Sequence, residues 1–499
     1  MSARPSCSIY FENTHHYHKV DARLFELSDL RAANVRDQIV RATYLTYSVI
    51  REGLVTAERP LLVFGGGAAG VSCAVAALNL GLSVFLVEKE DHLFVTQMST
   101  NTRTIDPGEF DWPLPHWNSG VVPPDAGKAF ALAYRRGVAS DVATAWTMLC
   151  DEYEDEFGDR FVVVPGVDAR ELELQVAADG VTVKGLEGAR LPPPSFGAVI
   201  SCVGFGEEVV FDKQARWNYR GLKFWADDTL HAEKLGIGRH RSGEIHALVS
   251  GGGDGAQQDV QRILTRTFGF DLVVRLQAWP DVDARFAAQF ASIGDRCLAI
   301  DDLVWDSVDW QHHNAPDPTK LQAWHDAYED VVDSVWSSLS EQELDWQTQN
   351  VIRPEVRSLD LALTWVLRDP YPSICYPLNR FLTAWVLRLY ARISSRELCA
   401  RGGSKAAMDC IMVTGYEITK IASGAASHVC SDRAACFAQA HHVWVAPSDG
   451  SRKASLLGEF HEIVLRHGID RTPLFDRSAP PLMLKSTDMV RPGLPLRRY

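Results

Sequence analysis

The stretch from Arg59 to Phe94, RPLLVFGGGAAGVSCAVAALNLGLSVFLVEKEDHLF, constrains this chain more than any other. Leu61 to Phe64 is a short apolar run, long enough for one buried parallel strand. Gly65, Gly67 and Gly70 follow at GxGxxG spacing, and Val71 to Leu80 is rich in small and apolar residues, as a helix pressed on a sheet should be. Gly81 stops that helix, Ser83 to Val87 reads as a second strand, and Glu88 stands at its end. A lone GxGxxG says little. Strand, glycines, small-residue helix, strand and terminal acid within about thirty residues point to a dinucleotide-binding βαβ unit. Gly65 permits the tight turn, Gly67 lets a pyrophosphate approach the main chain, and Gly70 lets helix and strand pack closely. Ala68 and Ala69 open the helix, whose free N–H groups favour an anion. Glu88 can accept hydrogen bonds from ribose hydroxyls. The alternative, a glycine-rich turn in an ordinary α/β domain, requires all five parts to coincide by chance.

A chain of 499 residues can hold two or three domains. Its formal charge of -14 argues against nucleic acid as a partner, because there is no basic surplus to neutralise phosphates. The ten cysteines form no CxxC pair, which disfavours a zinc ribbon or a thioredoxin-like couple and fits a reducing compartment. The first twenty residues have no signal-peptide core, and no apolar run reaches the ~18 residues of a spanning helix. The expectation is a soluble, cytoplasmic protein with no membrane partner and no metal.

His15, His16 and His18 could bind metal, but without spaced acidic or Cys partners a solvated or tucked-in extension is the better reading. Ser28 to Leu54 reads as a helix capped by Ser28 or Asp29. Gln97 to Trp117 is turn-rich, with Phe110, Trp112 and Trp117 beside Arg103; it either walls a ligand site or is pinned to the core. Asp125 to Phe157 reads as helices, Arg160 to Val183 as a small antiparallel meander, and Phe196 to Gly206 as a buried strand ending on glycines. Trp217, Tyr219, Phe224 and Trp225 cluster around Gly221. Glu244 to Leu264, EIHALVSGGGDGAQQDVQRIL, is a second glycine-turn unit. Asp271 to Leu276 is expected to be its following strand, with Arg275 in place of an acid, a slight tilt toward a 2′-phosphorylated nucleotide. Pro280 to Ser340 is helix-rich, with core tryptophans, and Tyr371 to Tyr376 is a loop. Phe381 to Ile393 is an amphipathic helix with Arg388 and Arg392 outside. Asp409 to Gly415 and His442 to Ala446 read as strands, and Ser455 to His467 as a closing helix.

Two glycine-turn units, separated by a meander and a strand ending in a glycine motif, resemble the two-dinucleotide-domain flavoproteins: the pyridine-nucleotide-linked reductases and the flavin-containing or N-hydroxylating monooxygenases. The resemblance implies that Gly65, Gly67, Gly70 and Glu88 hold the ADP half of FAD. It implies that the Val167 backbone touches adenine, from the end of FVVVPGVDA, and that Gly204 in ISCVGFG lies near the flavin. SGGGDGAQ resembles the second motif of that family, so Gly251, Gly253, Asp254 and Gly255 are candidates for holding NAD(P)H. MVTGY resembles a strand of the N-hydroxylating branch. The missing CxxC departs from the disulfide-reductase branch, and Pro280 to Ala400 has no counterpart.

The fold class expected is α/β: a Rossmann-like FAD-binding domain with an inserted second dinucleotide-binding domain and a helical segment. Residues 1–58 would be a helical extension, 59–240 the FAD domain with its meander, 241–400 the NAD(P)-binding-like domain with a helical insertion, and 401–499 the return to the FAD domain. The function implied is an FAD-dependent, NAD(P)H-linked oxidoreductase, in the lead reading a monooxygenase of a small-molecule substrate. A reductase or oxidase without hydroxylation and a non-enzymatic dinucleotide sensor are the alternatives. Catalytic residues and oligomeric state are left open.

Overall fold

The computed structural model describes residues 14–16, 18–27, 35–112, 132, 134–186, 193–204, 206–212, 214, 217, 219–232, 235, 245–281, 284–305, 318–358, 360–373, 375–400, 412–425, 439–470 and 474–475. The cap at Ser28 or Asp29, the stretch from residue 125 to 131 and Trp117 lie outside them. The chain divides into two compact units, one of Met1–Glu207, Trp305–Pro316 and Asp470–Tyr499, the other of Glu208–Val304 and Asp317–Ile469.

The first unit is built on a six-stranded sheet. Its strands are β1 (Lys19–Asp21), β2 (Leu24–Glu26), β3 (Leu61–Phe64), β4 (Val84–Val87), β5 (Phe161–Val164) and, past a hairpin of β6 (Glu173–Val176) and β7 (Val181–Lys184), β8 (Ala198–Ser201). The spatial order is β1-β2-β8-β3-β4-β5, parallel except for β1. All four residues of β3 and of β4 are buried, which is why they read as unbroken apolar runs rather than alternations. Helices α1 (Val35–Arg51), α2 (Ala68–Asn79) and α3 (Ala139–Phe157) belong to this unit. Leu62, Phe64, Phe85, Val87, Val162 and Val164 share a core with Val181 and Phe196. Only part of the expected meander forms: β5 joins the parallel sheet, and β6 and β7 make the antiparallel pair.

The second unit has a four-stranded parallel sheet in the order β11-β10-β9-β15. Its strands are β9 (Ile245–Ser250), β10 (Leu361–Leu367), β11 (Met412–Thr414) and β15 (Glu462–Leu465). Between β11 and β15 lies an antiparallel sheet of β12 (Tyr416–Ala425), β13 (Gln439–Pro447) and β14 (Ser455–Phe460). The stretch expected to return to the first domain at residue 401 instead supplies strands to this sheet from Met412 to Leu465. Its helices are α4 (Asp254–Thr265), α5 (Gly269–Gln277), α6 (Arg285–Trp305), α7 (Pro318–Ser338), α8 (Glu341–Asn350) and α9 (Pro377–Ala400).

Two expected elements are corrected. Asp271 to Leu276 is part of helix α5, with Leu272, Val273 and Leu276 buried at helical spacing; a short apolar run does not by itself distinguish a strand from a buried helix. Ser455 to His467 is not a helix but contains β14 and β15, because pairing with β13 and β9 overrides its local helix propensity. The strand after α4 is β10, so α5 to α8 are inserted within the crossover. Their core is aromatic: Trp385 packs 4.9 Å from Phe286 and 5.8 Å from Phe381, and its Nε1 donates to Gln347 Oε1 at 3.0 Å.

Arg388 and Arg392, expected to face outward, instead bind neighbouring helices. Arg392 reaches Glu341 and Asp345 at 2.5 and 2.6 Å, and Arg388 reaches Asp333 at 2.6 Å and Glu329 at 2.8 Å. Arg380 meets Glu329 from the other side at 2.7 Å. Burial raises the Glu329 carboxyl, but the two guanidiniums outweigh it and hold its pKa below the ordinary value. Its contribution to stability is therefore present above the unfolded value of about 4.3 and is lost as pH falls through the folded value. Glu329→Gln should melt earlier than the parent at pH 6, with the gap narrowing as pH falls below the ordinary carboxylate range, as read by calorimetry.

Candidate functional site: two matched glycine turns

Gly65 has φ +100, and a Cβ there would stand 2.4 Å from the Cys202 carbonyl oxygen at the end of β8. A Cβ on Gly70 would stand 1.8 Å from the Gly65 oxygen. Gly67 caps α2 at φ -78 and ψ -176 with no side-chain hydrogen bond, and a Cβ there meets nothing within 4 Å. The turn is thus closed at both shoulders and open in front of the helix N-terminus, where Ala68 and Ala69 begin the first turn. That space and those unsatisfied N–H groups fit a pyrophosphate.

Glu88 stands beside the turn. Its Oε2 accepts from the Gly66 N–H, and its Oε1 accepts from the Glu90 N–H at 2.9 Å. Each carboxylate oxygen can accept another bond, so ribose hydroxyls remain within its chemistry. Val167 lies alongside, its N–H donating to the Glu88 carbonyl at 3.0 Å. Gly204 has φ +85 and open space where a Cβ would be. Trp112 of the aromatic loop is buried, in keeping with a loop pinned to the core, as is Arg103. The Phe110 side chain lies outside the described residues. Cys202 is buried with its Sγ 3.8 Å from that of Cys73. The Cys73 thiol and burial push the Cys202 thiol upward, the behaviour of an inert cysteine. Two of the three N-terminal histidines are tucked in, His15 with Nδ1 2.5 Å from Ser48 Oγ and His18 with Nδ1 3.0 Å from the Glu26 carbonyl, while His16 is exposed. Among the described residues no cluster of His, Cys, Asp and Glu could hold a metal.

The second unit repeats the main-chain bonds of this turn. Gly251 has φ +126 and packs against the Arg466 carbonyl oxygen, 2.1 Å from its would-be Cβ. Gly253 caps α4 at φ -80 and ψ -176, uncapped by any side chain and open within 4 Å. The Gly65 N–H reaches the Val87 carbonyl at 2.8 Å, and Gly251 reaches that of Val366 at 3.1 Å. Phe94 donates to the Gly66 carbonyl at 3.0 Å, and Ser373 to that of Gly252 at 3.1 Å. Cys202 donates to the Phe64 carbonyl at 2.7 Å, and Arg466 to that of Ser250 at 2.8 Å. Gly204 and Gly468 close the match at φ +85 and +87. In both sheets the glycine-turn strand is flanked by its successor on one side and by a late-returning strand on the other. That reversal of strand order marks the ligand crevice of an open α/β sheet. Both units carry a glycine turn between a buried parallel strand and a helix, in an open α/β sheet.

The match also shows what the sequence reading missed. The residue facing the role of Glu88 in the second unit is Leu367, which is buried, followed by exposed Arg368. Arg275 serves another purpose: its guanidinium donates to the carbonyls of Thr265, Asn350 and Val351 at the ends of α4 and α8. The third position of the second turn is Ala256, fully buried. Gly255 instead makes room for the Phe224 ring, 3.2 Å from its would-be Cβ. Asp254 Oδ1 accepts from the Tyr376 N–H at 2.9 Å and Asn379 Nδ2 at 2.7 Å, tying the loop after β10 to the helix N-terminus. MVTGY forms β11 and its exit, with Gly415 at φ +75. Arg466 and His467 were hidden in the expected helix, and Gly468 lies just beyond its end. The signal that could have exposed them is an apolar strand running into glycine, IVLRHG, beside ISCVG.

No protein-family model and no curated protein matches the chain in sequence. Among solved structures it is similar to FAD-bound DfoA, a cadaverine monooxygenase from Erwinia amylovora, at 10% identity over 83% of this chain and 78% of that one, with a TM-score of 0.36. It is similar to the bacillithiol disulfide reductase Bdr (YpdA) from Bacillus cereus at 10% identity, covering 82% and 78%, with a TM-score of 0.34. With L-lysine 6-monooxygenase from Pseudomonas syringae the identity is 14%, the coverage 83% and 82%, and the TM-score 0.32. No helix among the described residues is long and apolar enough to cross a membrane.

Proposed function

We propose that this chain is an FAD-dependent oxidoreductase that draws its electrons from NADPH and passes them to a small-molecule acceptor, as a monooxygenase in the leading case. The observation that carries the reading is the duplicated turn with different chemistry at the strand that follows. Glu88 beside the first turn suits the free ribose hydroxyls of the ADP half of FAD. Leu367 offers no acceptor at the matching place in the second, and Arg368 next to it suits a 2′-phosphate. Gly67 and Gly253 would each receive a pyrophosphate on a helix N-terminus. Bound FAD would supply the redox chemistry by accepting hydride from the nicotinamide.

The deciding experiment is an absorption spectrum of the purified protein before and after anaerobic NADPH. A flavin band that bleaches supports both sites; no flavin, even after added FAD, removes the reading. Arg368→Ala should weaken NADPH about tenfold or more and leave NADH nearly unchanged. Peroxide formed per NADPH consumed, with and without candidate amines, separates hydroxylation from oxidase turnover.

A further inference from the structure

The strap that follows the second strand runs in step in the two units. Phe94 stands as far after Val87 as Ser373 stands after Val366, and each donates its N–H to the carbonyl of the middle glycine of its turn, Gly66 or Gly252. What lies against that glycine differs. In the first unit a Cβ on Gly66 would stand 3.0 Å from Glu88 Oε2 and 2.5 Å from Leu93 Cδ2. In the second a Cβ on Gly252 would stand 2.7 Å from Ser373 Oγ and 2.8 Å from the Ser373 nitrogen. The Ser373 hydroxyl therefore covers the face of Gly252 that matches the face of Gly66 covered by the Glu88 carboxylate. Leu367, in register with Glu88, is buried and leaves that face to the strap.

The strap is held at this point. The Tyr376 N–H and Asn379 Nδ2 both donate to Asp254 Oδ1 in the first turn of α4, at 2.9 and 2.7 Å. The Ser373 N–H holds Gly252 at 3.1 Å on the other side of the turn. Ser373 itself is half-buried, so main-chain bonds fix its place without sealing it from a ligand.

We propose that Ser373 is the residue by which the second crevice admits a 2′-phosphate, a neutral donor set where the first crevice has an acid. This rests on the reading that the second crevice binds a pyridine dinucleotide. A carboxylate only accepts hydrogen bonds, which suits ribose hydroxyls and repels a 2′-phosphate. A serine hydroxyl donates to a phosphate oxygen and brings no charge of its own. Asp369, the acid nearest in the strap, has its main chain drawn toward the exit of β11, where its carbonyl receives the Gly415 N–H at 3.2 Å. Exposed Arg368 supplies the attraction, and Ser373 removes the repulsion.

The test uses the FAD-loaded protein with NAD⁺ and NADP⁺, which differ only in the 2′-phosphate, and reads affinity by calorimetry. The wild type should bind NADP⁺ the more tightly. Ser373→Glu restores the acid of the first unit; it should weaken NADP⁺ about thirtyfold or more and leave NAD⁺ within about threefold. Retained NAD⁺ binding shows that the crevice of that variant is intact. Ser373→Ala disturbs the strap least and should weaken NADP⁺ about five- to tenfold with NAD⁺ unchanged; it decides the matter if the Glu variant binds neither nucleotide. A wild type that prefers NAD⁺, or a Ser373→Ala variant that shifts both nucleotides alike or neither, overturns the assignment while leaving the nucleotide site standing. If the wild type binds neither nucleotide, the dinucleotide reading fails and takes this one with it.

Discussion

Gly67→Val is expected to yield a folded protein that carries no flavin. The backbone at Gly67 is extended, a conformation any residue adopts, and its Cβ would touch nothing within 4 Å. The folding cost is therefore that of a poorer helix cap, about 1 kcal/mol. The same side chain fills the space in front of the α2 N–H groups, so FAD affinity should drop at least ~100-fold, on the order of 3 kcal/mol. Gly70→Ala gives the opposite result. Its Cβ would fall 1.8 Å from the Gly65 oxygen, so helix and strand must move apart at a cost of about 3 kcal/mol. Flavin content per protein and melting temperature, measured together, separate the two. The proposed flavin site does not stand if Gly67→Val retains normal flavin. Gly253→Val is the counterpart: it should abolish NADPH binding and keep FAD.

The largest loss of stability is expected from Asp259→Ala. Asp259 is fully buried under the second turn and accepts from Arg262 at 3.1 Å and from Arg466 at 2.8 Å. Arg262, buried as well, also makes a two-pronged bond to Asp228 at 2.6 and 2.8 Å. Arg466 lies over the Phe224 ring at 5.6 Å. Removing one carboxylate from such a set leaves a buried guanidinium short of its partner, at a cost of about 3–5 kcal/mol. Amide hydrogen exchange in α4 and β15 should speed up accordingly. Asp259→Leu combined with Arg262→Leu should cost less than the two changes added together. Full additivity would mean that the charges act independently.

How much of this was legible in the sequence depends on distance along the chain. Arg59 to Phe94 places strand, turn, helix and acid within one short stretch, so spacing alone revealed them, and Gly251 and Gly253 followed by likeness. The second unit also has its second strand, but α5 to α8 stand between α4 and β10. The acid position therefore went to Arg275 rather than to Leu367 and Arg368. The pairing of β9 with β10, closed at its end by the bond from the Gly251 N–H to Val366, identifies β10 as the partner, and that pairing closes through space. Ser455 to His467 failed for a related reason, since its partners are β13 and β9. The contact of Ser373 with Gly252 joins residues that no local pattern could connect.

The bonds shared by the two turns are all between main-chain atoms. Main-chain atoms are the same whatever the residue, so this scaffold constrains sequence at very few points: the left-handed glycines and the small third position, where Gly70 has already become Ala256. A chain held this way can drift almost freely elsewhere. The two crevices share a skeleton while one has Glu88 and Phe94 and the other has Leu367 and Ser373. Two copies of one turn, free to change side chains independently, would allow a single polypeptide to hold two different ligands without altering its fold.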